Sequence, residues 1–286
     1  MMERGAQFSL DMSSTVLKQS DFREIQAMAH EVFGLDLKTG KEALVSARLS
    51  KRVRDLQLAD ISAYLEMVKA DRTGIELARL IDALTTNFTS FMREPQHFDL
   101  LRGRILPELA GRNSIQIWSA GCSTGEEPYS ILFHCAETLG EGKIGQLKLQ
   151  ATDISNRALE AAQAGVFPDT RLKEMPQDWP RKYFLRGTGA AEGSVRVKPD
   201  WRKRITFTRV NLMEDLTKQP KCNVIFCRNV MIYFDKPTQE RLVGKFAERL
   251  EPGGWLLIGH SEGLMGIRHE LEYVKPAVYR KPANGR

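Results

Sequence analysis

The 286-residue chain is 42% hydrophobic and 27% charged, carries a formal net charge of +6 and has a pI near 9.1. These proportions belong to folded soluble domains, and the length allows two, each with its own core. They exclude a membrane span, since no apolar run approaches the roughly 20 residues one requires, and a cysteine-built metal site, since Cys122, Cys135, Cys222 and Cys227 lack ligand spacing.

Residues 1–20 lack the apolar core of a signal peptide and read as a flexible leader, which places the protein in the cytoplasm with reduced thiols. The positive excess suits an acidic partner, either nucleic acid or protein. From residue 21 the sequence turns helical: Phe22, Ile25, Ala29, Val32 and Phe33 share one face, and Gly34 ends it. A second helix, about 41–56, has an apolar stripe of Val45, Leu49, Val53 and Leu56. Lys41, Arg48, Lys51 and Arg52 form its other side, interrupted by Asp55. Such a face is ordinarily just solvated; the alternative is a docking surface. Asp60 caps a third helix with Ile61, Tyr64, Leu65 and Val68 inward, and Thr73 with Glu76 has capping-box spacing before Leu77, Leu80, Ile81 and Leu84. This helical domain has no catalytic constellation of its own. It is expected to recognise a partner or to cover a neighbouring site.

Leu84 to Pro95 is unlike an ordinary linker, because Asn87, Thr89 and Arg93 are interleaved with Phe88 and Phe91 just before the sheet begins. These are either helix-cap residues or a polar junction that brings Arg93 to a reaction centre. Pro95 opens a helix with Phe98, Leu101, Ile105 and Leu109 inward. Next comes the stretch on which the chain is organised, Ile115 to Ser130: an alternating strand, a loop with Gly121 and Gly125, and a helix with Pro128 in its first turn. Strand, glycine loop and helix begin a nucleotide-binding half of a doubly wound sheet, with ligands outside the carboxyl ends of the strands. The Gly-x-x-x-Gly spacing is neither a dinucleotide fingerprint nor a P-loop. Glu126 and Glu127 at the helix start would repel a pyrophosphate. A ligand without phosphates and with a cationic group fits better, and S-adenosylmethionine is the common cofactor of that description.

Leu147 to Asp153 is a strand ending in an acid, at the distance where such a residue accepts hydrogen bonds from ribose hydroxyls; the plainer alternative is that Asp153 caps the helix 155–164. Between 165 and 203 the helix–strand rhythm breaks into a glycine-rich turn, Arg186 to Gly193, and a short alternating strand, Ser194 to Lys198, which reads as an inserted β-subdomain. Rhythm returns with strands at Ile205 to Leu212 and Asn223 to Asn229, the latter ending in Arg228 and Asn229 and followed by Tyr233. Pro237 starts a helix, Glu251 to Gly254 turns the chain, Trp255 to Gly259 is a strand, and 270–281 supplies closing strands. This is a methyltransferase arrangement.

Leu84 to Pro95, Trp118 to Ser130, Phe226 to Phe234 and Gly259-His260-Ser261-Glu262 together resemble the chemotaxis receptor methyltransferase (CheR) family over nearly the whole chain after Ser20. The resemblance implies an α/β protein. A small all-α helical domain with its linker, 21–93, precedes a Rossmann-like S-adenosylmethionine methyltransferase domain, 94–286, with an antiparallel β-subdomain inserted at about 165–203. It implies transfer of methyl from S-adenosylmethionine to glutamate side chains on the cytoplasmic domain of transmembrane chemoreceptors, giving glutamyl methyl esters and S-adenosylhomocysteine. By resemblance Asn87, Thr89, Arg93, Gly121, Glu127, Asp153, Asn211, Leu212, Arg228, Asn229 and Tyr233 surround the cofactor, and Arg93, Arg228 and Tyr233 guide the incoming carboxylate or hold the methionyl end. The receptor would be met by Lys41, Arg48, Lys51 and Arg52, and its C-terminal tail peptide by Val195, Arg196 and Val197, with Ser194 to Lys198 serving as a docking edge.

No metal, no nucleic acid and no membrane insertion are expected, and the protein is expected to act as a monomer. A nucleic-acid methyltransferase would share the cofactor domain, but no Asn-Pro-Pro-Tyr type base pocket and no aromatic-basic stripe is present. A nicotinamide oxidoreductase would need the tighter glycine fingerprint. A catalytically inactive adaptor would lack the site residues.

Overall fold

Apolar side chains on alternate positions of one strand must face opposite sides of a sheet, and both sides here are covered. The computed structural model describes residues 17–283. It divides into two units: one contains Leu37–Leu84 with the chain up to Ala29, the other His30–Asp36 with the chain from Thr85 onward. The polar junction that starts at Thr85 therefore belongs with the second unit rather than with the helical one. The expected leader lies outside the described residues up to position 16, and the first helix already begins at Gln19.

The first unit is built on α1 (Gln19–Phe33) as far as Ala29, α2 (Glu42–Asp55), α3 (Ile61–Ala70) and α4 (Ile75–Leu84). Phe22, Ile25, Val45, Leu49, Val53, Tyr64, Leu65, Leu80 and Ile81 are buried there, the faces that helical periodicity marks. Asp60 caps α3 by accepting the Ala63 N–H at 2.9 Å. The start of α4 departs from the capping box: Asp71 takes the N–H groups of Thr73 (2.8 Å) and Glu76 (2.7 Å). That leaves the Glu76 carboxylate free to accept from Arg52, whose Nε lies 3.1 Å away and whose Nη2 bonds the second oxygen. Arg48 likewise donates to the Leu84 carbonyl at 2.7 Å. Two of the four basic residues assigned to a docking face are thus engaged inside the unit; Lys41 and Lys51 are exposed.

In the second unit α5 (Pro95–Leu100) runs through a π-turn at Leu101–Ile105 into α6 (Leu106–Leu109). Then follow β1 (Ile115–Ala120), α7 (Glu126–Leu139), β2 (Leu147–Asp153) and α8 (Asn156–Ala164). The insertion contains β3 (Val166–Pro168), α9 (Trp179–Tyr183), β4 (Phe184–Arg186), β5 (Ser194–Val197) and α10 (Pro199–Arg202). Finally come β6 (Ile205–Arg209), β7 (Cys222–Cys227), α11 (Lys236–Arg249), β8 (Leu250–Ile258), β9 (Glu272–Lys275) and β10 (Val278–Arg280). The expected turn at Glu251 to Gly254 is instead the first part of β8, irregular where its register with β7 shifts.

The large sheet has the order β6-β2-β1-β7-β8-β10-β9, parallel from β6 to β8, with β10 antiparallel to β8 and β9. Ile115, Ile117, Leu149, Val224 and Phe226 fill one face, while Trp118, Ala120, Ile225, Cys227 and Leu256 pack the other with Leu242 and Phe246 of α11. Trp118 keeps its indole N–H satisfied by Thr152 Oγ1 at 2.9 Å. From β1 the chain builds outward to β2 on one side and to β7 on the other. The crevice at the carboxyl end of β1 is therefore the switch point of the sheet.

The small sheet is antiparallel, in the order β3-β5-β4. β5 is its central strand, paired on both sides, so Ser194 to Lys198 is not an edge. Val195 and Val197 point into the core, while Arg196 is exposed between Val166 and Leu185.

The Arg52–Glu76 pair separates a structural from a surface role. Arg52→Ala removes both hydrogen bonds to a buried carboxylate, leaving it only Arg79 at 3.8 Å, and is expected to cost about 1–3 kcal/mol in thermal or urea unfolding, whereas Lys51→Ala should leave the midpoint in place. Equal midpoints for the two variants would return Arg52 to the solvated face.

Candidate functional site

The loop after β1 is held by backbone bonds: the N–H groups of Gly121 and Cys122 both donate to the Thr152 carbonyl at 2.8 Å. Gly121 has φ +83°, and a Cβ there would run into Val230 Cγ2; Gly125, at φ +101°, is packed against Ala162. Both glycines let protein neighbours close in, which fixes the loop against α8 and the end of β7. Asp153, at the tip of β2, accepts the Ser123 N–H at 2.8 Å through Oδ2 and the Ser155 N–H at 2.9 Å through Oδ1. It therefore ties the glycine loop to the start of α8, whose cap is Ser155.

Arg228, at the end of β7, is the hub. Its side chain is 1% exposed and lies between two carboxylates. Nη1 donates to Glu127 Oε2 at 3.0 Å, Nε and Nη2 to Glu94 Oε2 at 3.3 and 3.2 Å, and Nη2 also to the Arg93 carbonyl. The guanidinium sits 5.5 Å from the Phe98 ring centroid. The other oxygen of Glu127 accepts from Ser119 Oγ at 2.7 Å. Burial pushes the Glu127 carboxyl up, against the opposing pull of Arg228 and Ser119. Burial also works against ionisation of Glu94, but Arg228 and the His260 N–H outweigh it and hold that carboxyl below the usual carboxylate range.

Glu94 and Glu262 join the strand ends. Glu94 Oε1 accepts the His260 N–H at 3.1 Å and Asn229 Nδ2 at 3.4 Å. Glu262 accepts the N–H groups of Asn229 (2.9 Å), Ile232 (3.1 Å) and Gly259, while burial raises its own carboxyl. Sequence reasoning gave neither residue a role. Glu94 looked like an ordinary acid before Pro95, and Glu262 appeared only inside the Gly-His-Ser-Glu motif. The backbone carries the signal: among the described residues six non-glycines have positive φ, and four of them, Met92, Glu94, Ser123 and Asn229, border this crevice.

Of the other sequence-derived residues, Arg93 is half-buried and donates to the Phe88 carbonyl at 3.0 Å with Phe88 below its guanidinium. Thr89 is buried and its carbonyl accepts from Arg171, and Asn87 is half-buried nearby in the chain. Asn211 is spent on backbone, donating to the Val32 carbonyl at 2.7 Å and accepting the Met213 N–H at 3.0 Å; Leu212 is buried beside it. The Tyr233 carbonyl accepts the Asp36 N–H at 2.8 Å.

His97 is 1% exposed, with Nδ1 3.4 Å from Glu94 Oε2 and its ring edge-on to His260, yet neither ring nitrogen has a hydrogen-bond partner. Burial, then Arg228, push it down to about 3, so it is neutral. Glu94, His97 and His260 bring ligand-type atoms within 4.8 Å of one another. The Glu94 oxygens are already taken and the adjacent guanidinium repels a cation, so no metal is assigned there.

S-adenosylmethionine offers a sulfonium and an ammonium cation, a carboxylate and ribose hydroxyls. The residues fit it: Glu94, Glu127 and Asp153 outnumber the one buried guanidinium, and the Ser123 hydroxyl is buried with no partner within the protein.

Comparison with known proteins agrees with this fit. Residues 20–85 match the CheR methyltransferase all-alpha domain, and residues 87–279 match the CheR methyltransferase SAM binding domain. The chain is 40% identical to chemotaxis protein methyltransferase 2 of Pseudomonas aeruginosa, over 91% of this chain and 92% of the relative. It is 40% identical to the chemotaxis protein methyltransferase of Salmonella typhimurium, over 92% and 90%. For that of Escherichia coli the identity is 38%, over 92% and 91%. A solved S-adenosylmethionine-dependent methyltransferase from Mesorhizobium loti aligns over 55% of this chain and 54% of that one, at 18% identity and a TM-score of 0.31, too partial a likeness to carry weight. On the two domain matches and these relatives, the chain belongs to the CheR family of chemotaxis methyltransferases and is an S-adenosylmethionine-dependent enzyme.

Proposed function

We propose that the protein methylates glutamate side chains of chemoreceptors, giving glutamyl methyl esters and S-adenosylhomocysteine. The observation that carries this reading is the Arg228 guanidinium clamped between Glu94 and Glu127 at the switch point of the sheet, a polar site with no poised base. S-adenosylmethionine, when bound, supplies an electrophilic methyl group on a positively charged sulfur. A glutamate acceptor is already a carboxylate at neutral pH, so catalysis consists of approach and alignment. Of the groups near the crevice that could take a proton, Glu94, Glu127 and Glu262 are engaged in hydrogen bonds and His97 is buried and neutral, and a carboxylate acceptor calls on none of them.

Asp153, at the carboxyl end of β2, holds the ribose hydroxyls, and Glu127 attracts the cationic end of the cofactor. Arg228 has its charge shared by two carboxylates, so of the residues singled out from sequence Arg93 and Tyr233 are the ones left to meet the acceptor. The label transferred from S-adenosylmethionine to receptor should be released as methanol at alkaline pH, as an ester requires. A base-stable label would place the methyl on nitrogen or carbon and end this reading. Asp153→Asn replaces one acceptor by a donor, and calorimetry should show cofactor binding weakened by about 1–3 kcal/mol; unchanged affinity would remove Asp153 from the ribose.

A receptor tail peptide would add to the small sheet at β4. In the β4–β5 ladder the Lys198 N–H bonds the Tyr183 carbonyl and the Gly187 N–H bonds the Ser194 carbonyl, so by alternation Phe184 and Arg186 point their backbone groups outward. On the opposite side Pro168 of β3 has no N–H to offer, which blunts that edge. Arg186 and Arg196 supply positive charge for an acidic tail, and Leu185 an exposed apolar contact. Arg186→Pro should abolish saturable binding of a tail peptide in a fluorescence titration without lowering cofactor affinity, since the outward N–H takes no part in the native ladder. Binding that persists in the variant would exclude strand addition at β4.

A further inference from the structure

The connection from β6 to β7, residues 210–221, contains turns but neither helix nor strand, although it must run from the carboxyl end of one strand to the amino end of another in the same parallel array. Such a stretch has no ladder to occupy its carbonyl groups, and buried carbonyls need partners. Cations on α11 provide them. Lys245 Nζ donates to the carbonyls of Leu212 (3.2 Å), Met213 (2.7 Å) and Glu214 (2.8 Å). Arg249, one helical turn further along, donates through Nη1 to those of Thr217 (2.9 Å) and Gln219 (3.4 Å). Leu212 and Leu216 are buried in the same core cluster as Leu242 and Phe246 of α11.

The cations hold different ends of this connection. The part held by Lys245 begins at the crevice: the Val210 N–H donates to the Asp153 carbonyl at 3.1 Å, and Asn211 turns the chain by accepting the Met213 N–H at 3.0 Å. In the sheet order β6-β2-β1-β7 it lies beyond Asp153, on the side away from Arg228. The part held by Arg249 leads down to the amino end of β7, away from the carboxyl ends where the crevice opens.

We propose that Lys245 is a positioning residue for the nucleoside half of the cofactor: by gathering the carbonyls of Leu212, Met213 and Glu214 it fixes the turn at Asn211 and Leu212 as a wall of the crevice, whereas Arg249 only stabilises the fold. The inference rests on the cofactor reading given above, in which Asp153 holds the ribose and Asn211 and Leu212 border the cofactor, and deepens it. A wall that is ordered beforehand does not have to be ordered at the moment of binding, and affinity gains by that difference.

The test compares Lys245→Met with Arg249→Met in the full chain, by calorimetric titration with S-adenosylmethionine and with S-adenosylhomocysteine alongside thermal unfolding. Both substitutions strand backbone carbonyls, so both should lower the unfolding midpoint. Only Lys245→Met should weaken binding, by about tenfold, the cost of ordering one or two loosened side chains, while Arg249→Met should stay within about twofold of the wild type. The two ligands share their adenosine, so the loss should be the same for both. Lys245→Arg keeps a donating cation and should recover most of the affinity. Lys245→Gln keeps a neutral donor and holds the turn more weakly; it should lose about threefold for each ligand and gives the same comparison where Lys245→Met does not fold. Unchanged affinity in the Lys245 variants, or an equal loss in Arg249→Met, would reduce Lys245 to a structural tie, and a loss confined to one ligand would move the effect from the nucleoside to the sulfur. Any of these overturns the inference while the methyltransferase reading stands. A wild-type protein that binds neither ligand overturns the cofactor reading, and this inference with it.

Discussion

A guanidinium that is 1% exposed has no water to solvate it, and the second unit is arranged around meeting that need. The Arg228 charge is satisfied by Glu127 at the start of α7, by Glu94 ahead of α5 and by the adjoining Arg93 carbonyl, so two segments far apart in sequence converge at the end of β7. Breaking a buried pair of this kind by removing one partner typically costs about 3–5 kcal/mol, because the remaining charge is stranded. The same convergence produces the site. The carboxylates that neutralise Arg228 lie at the end of β7, beside the point where the strand order reverses.

Backbone strain is concentrated where that convergence needs it. Met92 and Glu94, both left-handed, flank Arg93 and turn its carbonyl toward Arg228 while its side chain goes to the Phe88 carbonyl. Ser123 and Asn229, also left-handed, aim their N–H groups at Asp153 and Glu262. The left-handed conformations of Glu94, Ser123 and Asn229 are thus repaid locally by charge-assisted hydrogen bonds, which are stronger than neutral ones, while Met92 donates its N–H to Ser130 Oγ. Acids at the strand ends hold the loops, and the loops form the walls of the crevice.

Much of this was legible in the sequence because it follows local rules. The apolar alternation of Ile115 to Ala120 and the unbroken apolar run of Val224 to Cys227 mark a sheet covered on both faces, and residues at strand ends are where such sheets bind ligands. Asp153, Glu127 and Arg228 stand at strand and helix ends that the sequence pattern marks, while the roles given to Glu127 and Arg228 came from the family resemblance. What escaped depends on long-range pairing. Nothing near Glu94 in the chain shows that Arg228, 134 residues later, will claim it. Arg52 lies on the polar side of α2, yet Glu76 on α4 claims it, because Asp71 had displaced Glu76 from its expected capping duty. The alternation of Val195 and Val197 correctly indicated a strand but could not indicate a central one: its neighbours β3 and β4 are three residues each, too short for a periodicity to show.

The short strands also explain why the insertion is part of the catalytic unit rather than an appendage. A three-stranded sheet of this size cannot bury enough apolar surface to stand alone, and its inner face is completed by α7. Phe133 stacks on Tyr183 at 4.0 Å and meets Phe184 edge-on at 5.6 Å, while Tyr129 contacts Phe167 at 6.0 Å and its hydroxyl donates to the Ala162 carbonyl. Phe91, two residues before Arg93, packs edge-on against Phe167 and Phe184. The helix that presents Glu127 to Arg228 and the junction that presents Arg93 are therefore both anchored in the aromatic core of the small sheet.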